Sequence, residues 1–473
     1  MISTSSISGR GAPVLLPGFV GTELPEWLAV RLRAGLGGVC LFAENIASLE
    51  QLRELTGAIR AANPRALIAI DEEGGDVSRL HAATGSPFPG NAVLGRLDDV
   101  GLTASVGAAV ARELRAAGVN LNFAPDVDIN SNPDNPVIGV RSFGADPRLV
   151  ARHSAAWVAA HEAEGVAVSA KHFPGHGDTD ADSHHALPVV DLPLEALRER
   201  ELVPFEAAIA AGARTIMSSH ILLPQLDGAQ PATFSRRILQ ELLRDELGFD
   251  GVVVSDALDM AGASGEIGIP TAAVRALAGG CDLLCIGTRN TDAQLAEIEA
   301  AIEAALASGE LAEGRLADAV ARVTALAESL PAGLAAQPEP YVVDPARIAS
   351  AFDVVEGVSV PRGVRLLSLE TTANVAVGTV PWGLASVGLE PERVREGDPL
   401  PASEVPYLVV GKDNHRRAWT RDLIDAARAA QPATVVIDMG WPAPDRAYAD
   451  IATFGASRSV SAALRLLLDG SEQ

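Results

Sequence analysis

Eight short apolar runs, each followed by a helical pattern, fill the first 330 residues, and few folds accept that alternation. The runs are 13–16 (PVLL), 38–43 (GVCLFA), 66–71 (ALIAID), 119–125 (VNLNFAP), 166–172 (VAVSAKH), 214–220 (RTIMSSH), 250–256 (DGVVVSD) and 282–286 (DLLCI). They are nearly continuous in apolar residues, as strands of a parallel sheet covered on both faces must be. Amphipathic helices lie between them. Ser48 and Gln51 have capping-box spacing, and Leu49, Leu52, Leu55 and Ile59 form one stripe. Ile238, Leu239, Leu242 and Leu243 form another between Ser235 and Gly248.

Eight βα units in roughly 280 residues fit a (β/α)8 TIM barrel, whose usual length is about 250. A doubly wound open sheet is the alternative, and the strand ends decide between them. Asp71, Lys171, His172, His220 and Asp256 all stand where an apolar run stops. A barrel brings such ends to one mouth, whereas an open sheet gathers polar residues mainly at its switch point. The expected organisation is therefore a catalytic barrel over 1–330, a Pro-rich linker over 331–340 (PAGLAAQPEP) and a smaller α/β C-terminal domain over 341–473. In the last segment the runs 364–369, 405–410 and 433–438 alternate with helices, one at about 459–468. It carries few Asp, His or Lys clusters and reads as structural or substrate-covering.

Charge narrows the partners. The net charge is −24; residues after 340 hold 13 basic and 17 acidic groups, which leaves about −20 on the first 340. Such a chain is a poor match for nucleic acid or an anionic membrane. It has no apolar run long enough to span a bilayer, and its first residues lack the pattern of a signal peptide. Three cysteines, 40, 281 and 285, make no disulfide framework, so a cytoplasmic address is expected. The chain has 35 arginines but only two lysines, Lys171 and Lys412.

The densest chemistry is KHFPGHGDTDADSHH, 171–185, which holds four of the nine histidines together with Asp178, Asp180 and Asp182. These residues could ligate zinc or a related ion. Alternatively, Asp182 orients and charges His184 as an acid/base pair. Asp256 ends a buried run, as a reactive carboxylate or as the N-cap of the next helix. In IAIDEEGGDVSR, Asp71 closes a strand and Gly74-Gly75 permits a tight turn. Arg141, in NPVIGVRSFGADP, has the ordinary reading of a surface arginine.

In joint order, these segments resemble glycoside hydrolase family 3, and within it the β-N-acetylglucosaminidases. The similarity runs through LLPGFVGTEL, GGVCLFAENI, IAIDEEGGDVSRL, NFAPDVDIN, NPVIGVRSFGADP, KHFPGHGDTDADSH and LGFDGVVVSDALDM. The KHFPGHG…DSH loop is specific to that branch. The resemblance implies that Asp256 is the nucleophile of a retaining mechanism, with His184, held by Asp182, as general acid/base. It implies that Asp71, Arg141, Lys171 and His172 grip the sugar, with Met217, Ser218 and His220 lining the same mouth. One departure is Val140, where the family often has an acidic partner for Arg141; His185 matches no role. The implied activity is removal of terminal N-acetylglucosamine from muropeptides or chito-oligosaccharides, without metal or cofactor. The partner is a small carbohydrate, and the sequence does not address oligomeric state. Two other activities are compatible with the residues: a phosphorylase using phosphate as acceptor, and a metal-dependent barrel hydrolase. A catalytically dead sugar-binding relative is a third reading, opposed by the presence of Asp182, His184 and Asp256 together.

Overall fold

The computed structural model describes residues 9–180, 183, 187–371, 376–378 and 383–470. They group into two compact units. The first takes the described residues up to Glu72, Val100–Ile129 and Val150–Glu339. The second takes Glu73–Asp99, Asn130–Leu149 and the described residues from Pro340 on.

The first unit is a (β/α)8 barrel. Its strands are β1 (Leu15–Pro17), β2 (Gly38–Leu41), β3 (Leu67–Ile70), β4 (Leu121–Asn122), β5 (Ala167–Phe173), β6 (Thr215–Ser218), β7 (Val252–Ser255) and β8 (Leu283–Gly287). The hydrogen-bonded order is β1-β8-β7-β6-β5-β4-β3-β2, every pair parallel. β1 and β2 lie side by side and nearly close the ring. Every residue of the eight strands is buried, as expected for strands with side chains inside the barrel and helices outside.

Most sequence-expected runs fall within a residue or two of these strands. The first run instead opens as a 3-10 turn, Ala12–Val14, before β1. The fourth shortens to two residues, since Pro125 has no N–H to give a ladder; the chain rejoins β5 through a single bridge, Asp126 to Lys171. Ser48 caps the helix Leu49–Ala62, its Oγ accepting from Gln51 N at 3.1 Å, while Gln51 Oε1 accepts from Ala47 N at 2.8 Å. The stripe 238/239/242/243 is buried, but the helix that carries it, Arg237–Glu246, is a π-helix.

The second unit holds a six-stranded sheet of β9 (Asp353–Val354), β10 (Arg365–Leu369), β11 (Glu392–Val394), β12 (Tyr407–Gly411), β13 (Val435–Asp438) and β14 (Ile451–Ala452). Their order is β11-β10-β12-β13-β14-β9, parallel except for β9. Leu367, Tyr407, Val409, Ile424 and Val436 form its core, with the helix Ala418–Ala430 supplying Leu423, Ile424 and Ala427. Residues 331–340 carry no helix or strand. Among the described residues, no helix is long and apolar enough to cross a membrane.

Candidate active site

In the barrel unit, side chains gather at the carboxyl ends of β3, β5, β6 and β7. Lys171 Nζ donates to Asp71 Oδ1 at 2.7 Å, with the Lys171 side chain only 3% exposed. An ammonium so buried needs a counter-charge, and the carboxylate at the end of β3, two strands over, provides it.

His172 is fixed by Asp128, which follows β4. The imidazole Nδ1 lies 2.7 Å from Asp128 Oδ2, and the His172 main-chain N–H also points at that carboxylate. Asp128 Oδ1 further accepts from His176 N at 2.7 Å. The carboxylate holds a proton on Nδ1 and fixes the ring's orientation. Asp126, Asp128 and His172 place one ligand atom each within 4.8 Å of one another, a spacing that suits a divalent ion. Yet the Asp128 oxygens already accept from two main-chain N–H groups and the imidazole, and Asp126 Oδ1 accepts from Asp128 N at 3.0 Å. The geometry is that of a hydrogen-bond knot tying the end of β5 to the loop after it.

That loop is shaped by close approach. A Cβ on Gly177 would lie 1.6 Å from the Ile129 carbonyl oxygen, so only glycine lets the loop pass. His176 is wholly buried, its Nδ1 2.8 Å from Thr179 Oγ1 and its Nε2 3.1 Å from Ser183 Oγ. Burial first, and then the neighbouring His172, push its pKa down to about 4, so it is neutral and structural. Asp182 and His184, with the unassigned His185, lie outside the described residues. Ser183 between them is buried, and its carbonyl accepts from Gly262 N at 3.2 Å.

Asp256 follows β7, partly exposed, and its Oδ1 accepts from Ala257 N at 2.7 Å. It does not cap the next helix, which starts at Ala261 with Met260 as N-cap. His220, fully buried after β6, faces the other side of the same residue: its Nε2 donates to the Ala257 carbonyl at 3.0 Å. Its Nδ1 lies 2.9 Å from Thr233 Oγ1. Both ring nitrogens of His220 are thus engaged by protein groups, which suits it to fixing the backbone beside Asp256. Met217 is buried within β6, and Ser218 Oγ lies 3.0 Å from Thr233 Oγ1.

Arg141 belongs to the second unit, and it is buried rather than superficial. Its Nε and Nη2 donate to Glu73 Oε2 and Oε1 at 2.9 and 2.7 Å, a bidentate pair with side chains 4% and 2% exposed. The carboxylate partner that Val140 fails to supply thus comes from Glu73, 68 residues away. Gly74 and Gly75 take positive φ, 76° and 61°, and make the expected turn after it.

Lys412 is not incidental either. It pairs with Asp76, whose other oxygen accepts from Ala456 N at 2.8 Å. Burial alone would lower the Lys412 pKa, but Asp76, Asp413 and Asp438 outweigh it and raise it. Asp438, in turn, is pushed up to about 7 by burial and by Asp413. The C-terminal segment therefore does contain a charged cluster, invisible in sequence because Asp76 joins it from far away. Lys412→Met is expected to cost about 1–3 kcal/mol, since it leaves the buried Asp76 carboxylate short of its ammonium; a urea titration with an unchanged midpoint would refute this.

Four functional-looking residues went unremarked in sequence: Glu73, Asp76, Asp128 and Glu201. The first three lie inside motifs already quoted, where the signal was the density of acids in DEEGGD and DVD.

The glycosyl hydrolase family 3 N-terminal domain matches residues 21–326. Beta-hexosaminidase A of Pseudoalteromonas piscicida is 38% identical over 348 residues; the match covers 68% of this chain and 57% of that one, so the chain spans little more than half of that relative. A solved glycoside hydrolase family 3 beta-N-acetylglucosaminidase from Paenibacillus sp. str. FPU-7 is 31% identical with a TM-score of 0.85, covering 99% of this chain and 97% of that one. Beta-N-acetylhexosaminidase from Beutenbergia cavernae DSM 12333 is 32% identical, TM-score 0.61, covering 68% and 98%.

Proposed function

Because this chain belongs to glycosyl hydrolase family 3, we propose that it is a retaining exo-β-N-acetylglucosaminidase. The observation that carries the reading is Asp256: a partly exposed carboxylate at a barrel strand end, steadied by the N–H of Ala257 at 2.7 Å, a residue whose own carbonyl His220 holds. A nucleophile needs that combination of access and fixed aim.

In the first step, Asp256 attacks the anomeric carbon of the terminal sugar. The glycosidic bond breaks, and its electron pair leaves on the aglycone oxygen, which takes a proton from His184. In the second step, water attacks the same carbon while His184 takes a proton back, and the ester to Asp256 breaks. Asp182, two residues before His184, favours the imidazolium needed for the first transfer. Lys171, held by Asp71, presents a fixed donor to sugar hydroxyls, with His172 beside it in sequence. For Arg141, aligned by Glu73, the family resemblance implies the role of a further donor. His220 fits better as a support for Asp256 than as a sugar contact.

The substrates that suit this chemistry are muropeptide fragments or chito-oligosaccharides ending in β-linked N-acetylglucosamine. The three buried free thiols fit a cytoplasmic address, and with it a role in recycling cell-wall sugars.

An activated fluoro-sugar that keeps the 2-acetamido group should trap the first intermediate. Peptide mass spectrometry is expected to find one adduct, on Asp256. Label on another residue, or an active enzyme that takes none, overturns the assignment. Running turnover with and without phosphate should yield free sugar in both; sugar 1-phosphate would shift the reading to a phosphorylase.

A further inference from the structure

Glu201 lies outside every motif of the sequence analysis, in RERELVPFE. It is 1% exposed. Arg200 Nε donates to Glu201 Oε1 at 2.6 Å, and Arg200 Nη2 donates to Asp178 Oδ2 at 2.8 Å. One guanidinium therefore joins a buried carboxylate to an acid on the loop after β5. Glu201 Oε2 has no hydrogen-bond partner among the described residues. It also lies against the loop backbone, since a Cβ on Gly175 would come within 2.8 Å of it.

The charged groups that face Glu201 are Arg200 from its own segment, Asp178 from the loop and Asp128 from the segment after β4. Burial pushes its carboxyl up to about 7; Arg200 opposes this, while Asp128 and Asp178 add to it. A raised carboxyl pKa means that the folded chain holds the proton more tightly than the unfolded one. Stability contributed by that proton is complete at low pH and is lost as pH climbs from the ordinary glutamate value, 4.5, through about 7. A glutamine of the same shape would escape that loss. A charge kept in so unfavourable a place calls for a use.

We propose that Arg200 and Glu201 form a latch that positions the 174–180 loop, gripping when Glu201 is ionised and slackening when it is protonated. The ionised carboxylate pulls Arg200 inward, and Arg200 carries Asp178 with it. Both are positioning residues, and neither is assigned a contact with sugar. The latch rests on the proposed function only in its catalytic consequence, namely that the loop leads into His184.

The experiment compares the full chain with Glu201→Gln and Arg200→Lys. Backbone amide exchange over 174–180, corrected for intrinsic rates, reads the loop without any substrate. Protection in the unsubstituted protein is expected to rise about tenfold between pH 6 and pH 8, and to stay flat and low in Glu201→Gln. Arg200→Lys keeps the charge but loses the two-pronged grip, so it should lose the same protection. Over the same range, Glu201→Gln should gain in melting temperature relative to the unsubstituted protein. With an aryl β-N-acetylglucosaminide at pH 8, its kcat should fall about tenfold with KM within about twofold. Equal loop protection in all three proteins at pH 8 would overturn the latch. A protein whose loop behaves as expected but which turns over no N-acetylglucosaminide would instead fault the proposed function.

Discussion

Asp256→Asn is expected to lower kcat on an aryl β-N-acetylglucosaminide by about 10⁴-fold or more, which at 1.36 kcal/mol per decade is about 5.4 kcal/mol of transition-state stabilisation. The substitution is close to isosteric. An asparagine carbonyl can still accept from Ala257 N, so the local backbone should survive, and the melting temperature should stay within a degree or two. What disappears is the negative oxygen that, in the proposed mechanism, bonds to the anomeric carbon. A leaving group as good as nitrophenolate needs little protonation, so such a substrate isolates the nucleophile from the acid/base group. Residual turnover above about one hundredth of the original would be too much for a chain that had lost its nucleophile.

The second large effect is on stability. Glu73→Gln removes the bidentate carboxylate from a guanidinium whose side chain is 4% exposed. Breaking one half of a buried pair costs about 3–5 kcal/mol, because the remaining charge stays out of water with weaker compensation. Denaturant titration measures it directly. Removing both partners, as Glu73→Gln with Arg141→Met, should cost less than the two single changes summed, and additivity would show that the pair is not coupled. The pair between Arg10 and Glu303, with side chains 54% and 38% exposed, should register little when broken, since water replaces what is lost.

The barrel was legible because its evidence is local. An apolar run with a polar residue at its end marks a strand and the mouth it leads to, and β2, β3, β5, β6, β7 and β8 fall where such runs stand. β4 was over-read because a valine-asparagine-leucine pattern extends into Phe123, Ala124 and Pro125, beyond the last ladder pairing. The short strands β9, β11 and β14 have two or three residues each, too few to show a period. Strand-end positions Asp71, Lys171 and Asp256 were visible for the same local reason. The partners that fix them were not. Nothing near Arg141 in sequence announces Glu73, and nothing near His172 announces the grip of Asp128, because ion pairing is decided by distance in space. Lys412 is the clearest case: it looks like a stray among arginines until Asp76 is placed beside it.

The second unit is stitched from three stretches of chain, and this dictates an order of birth. Asp76 leaves the ribosome 336 residues ahead of Lys412 and 380 ahead of the amide of Ala456. At about 5–20 residues per second, translation keeps Asp76 waiting about 17–67 s for its lysine. Residues 73–99 and 130–149 must therefore spend that interval without the contacts that later bury them. Both stretches are rich in glycine and carry charged side chains among their apolar ones, and hydrated groups of that kind oppose clumping while the partners are awaited. The nascent barrel can mature first, and the second unit closes only after Lys412 and Ala456 have joined it.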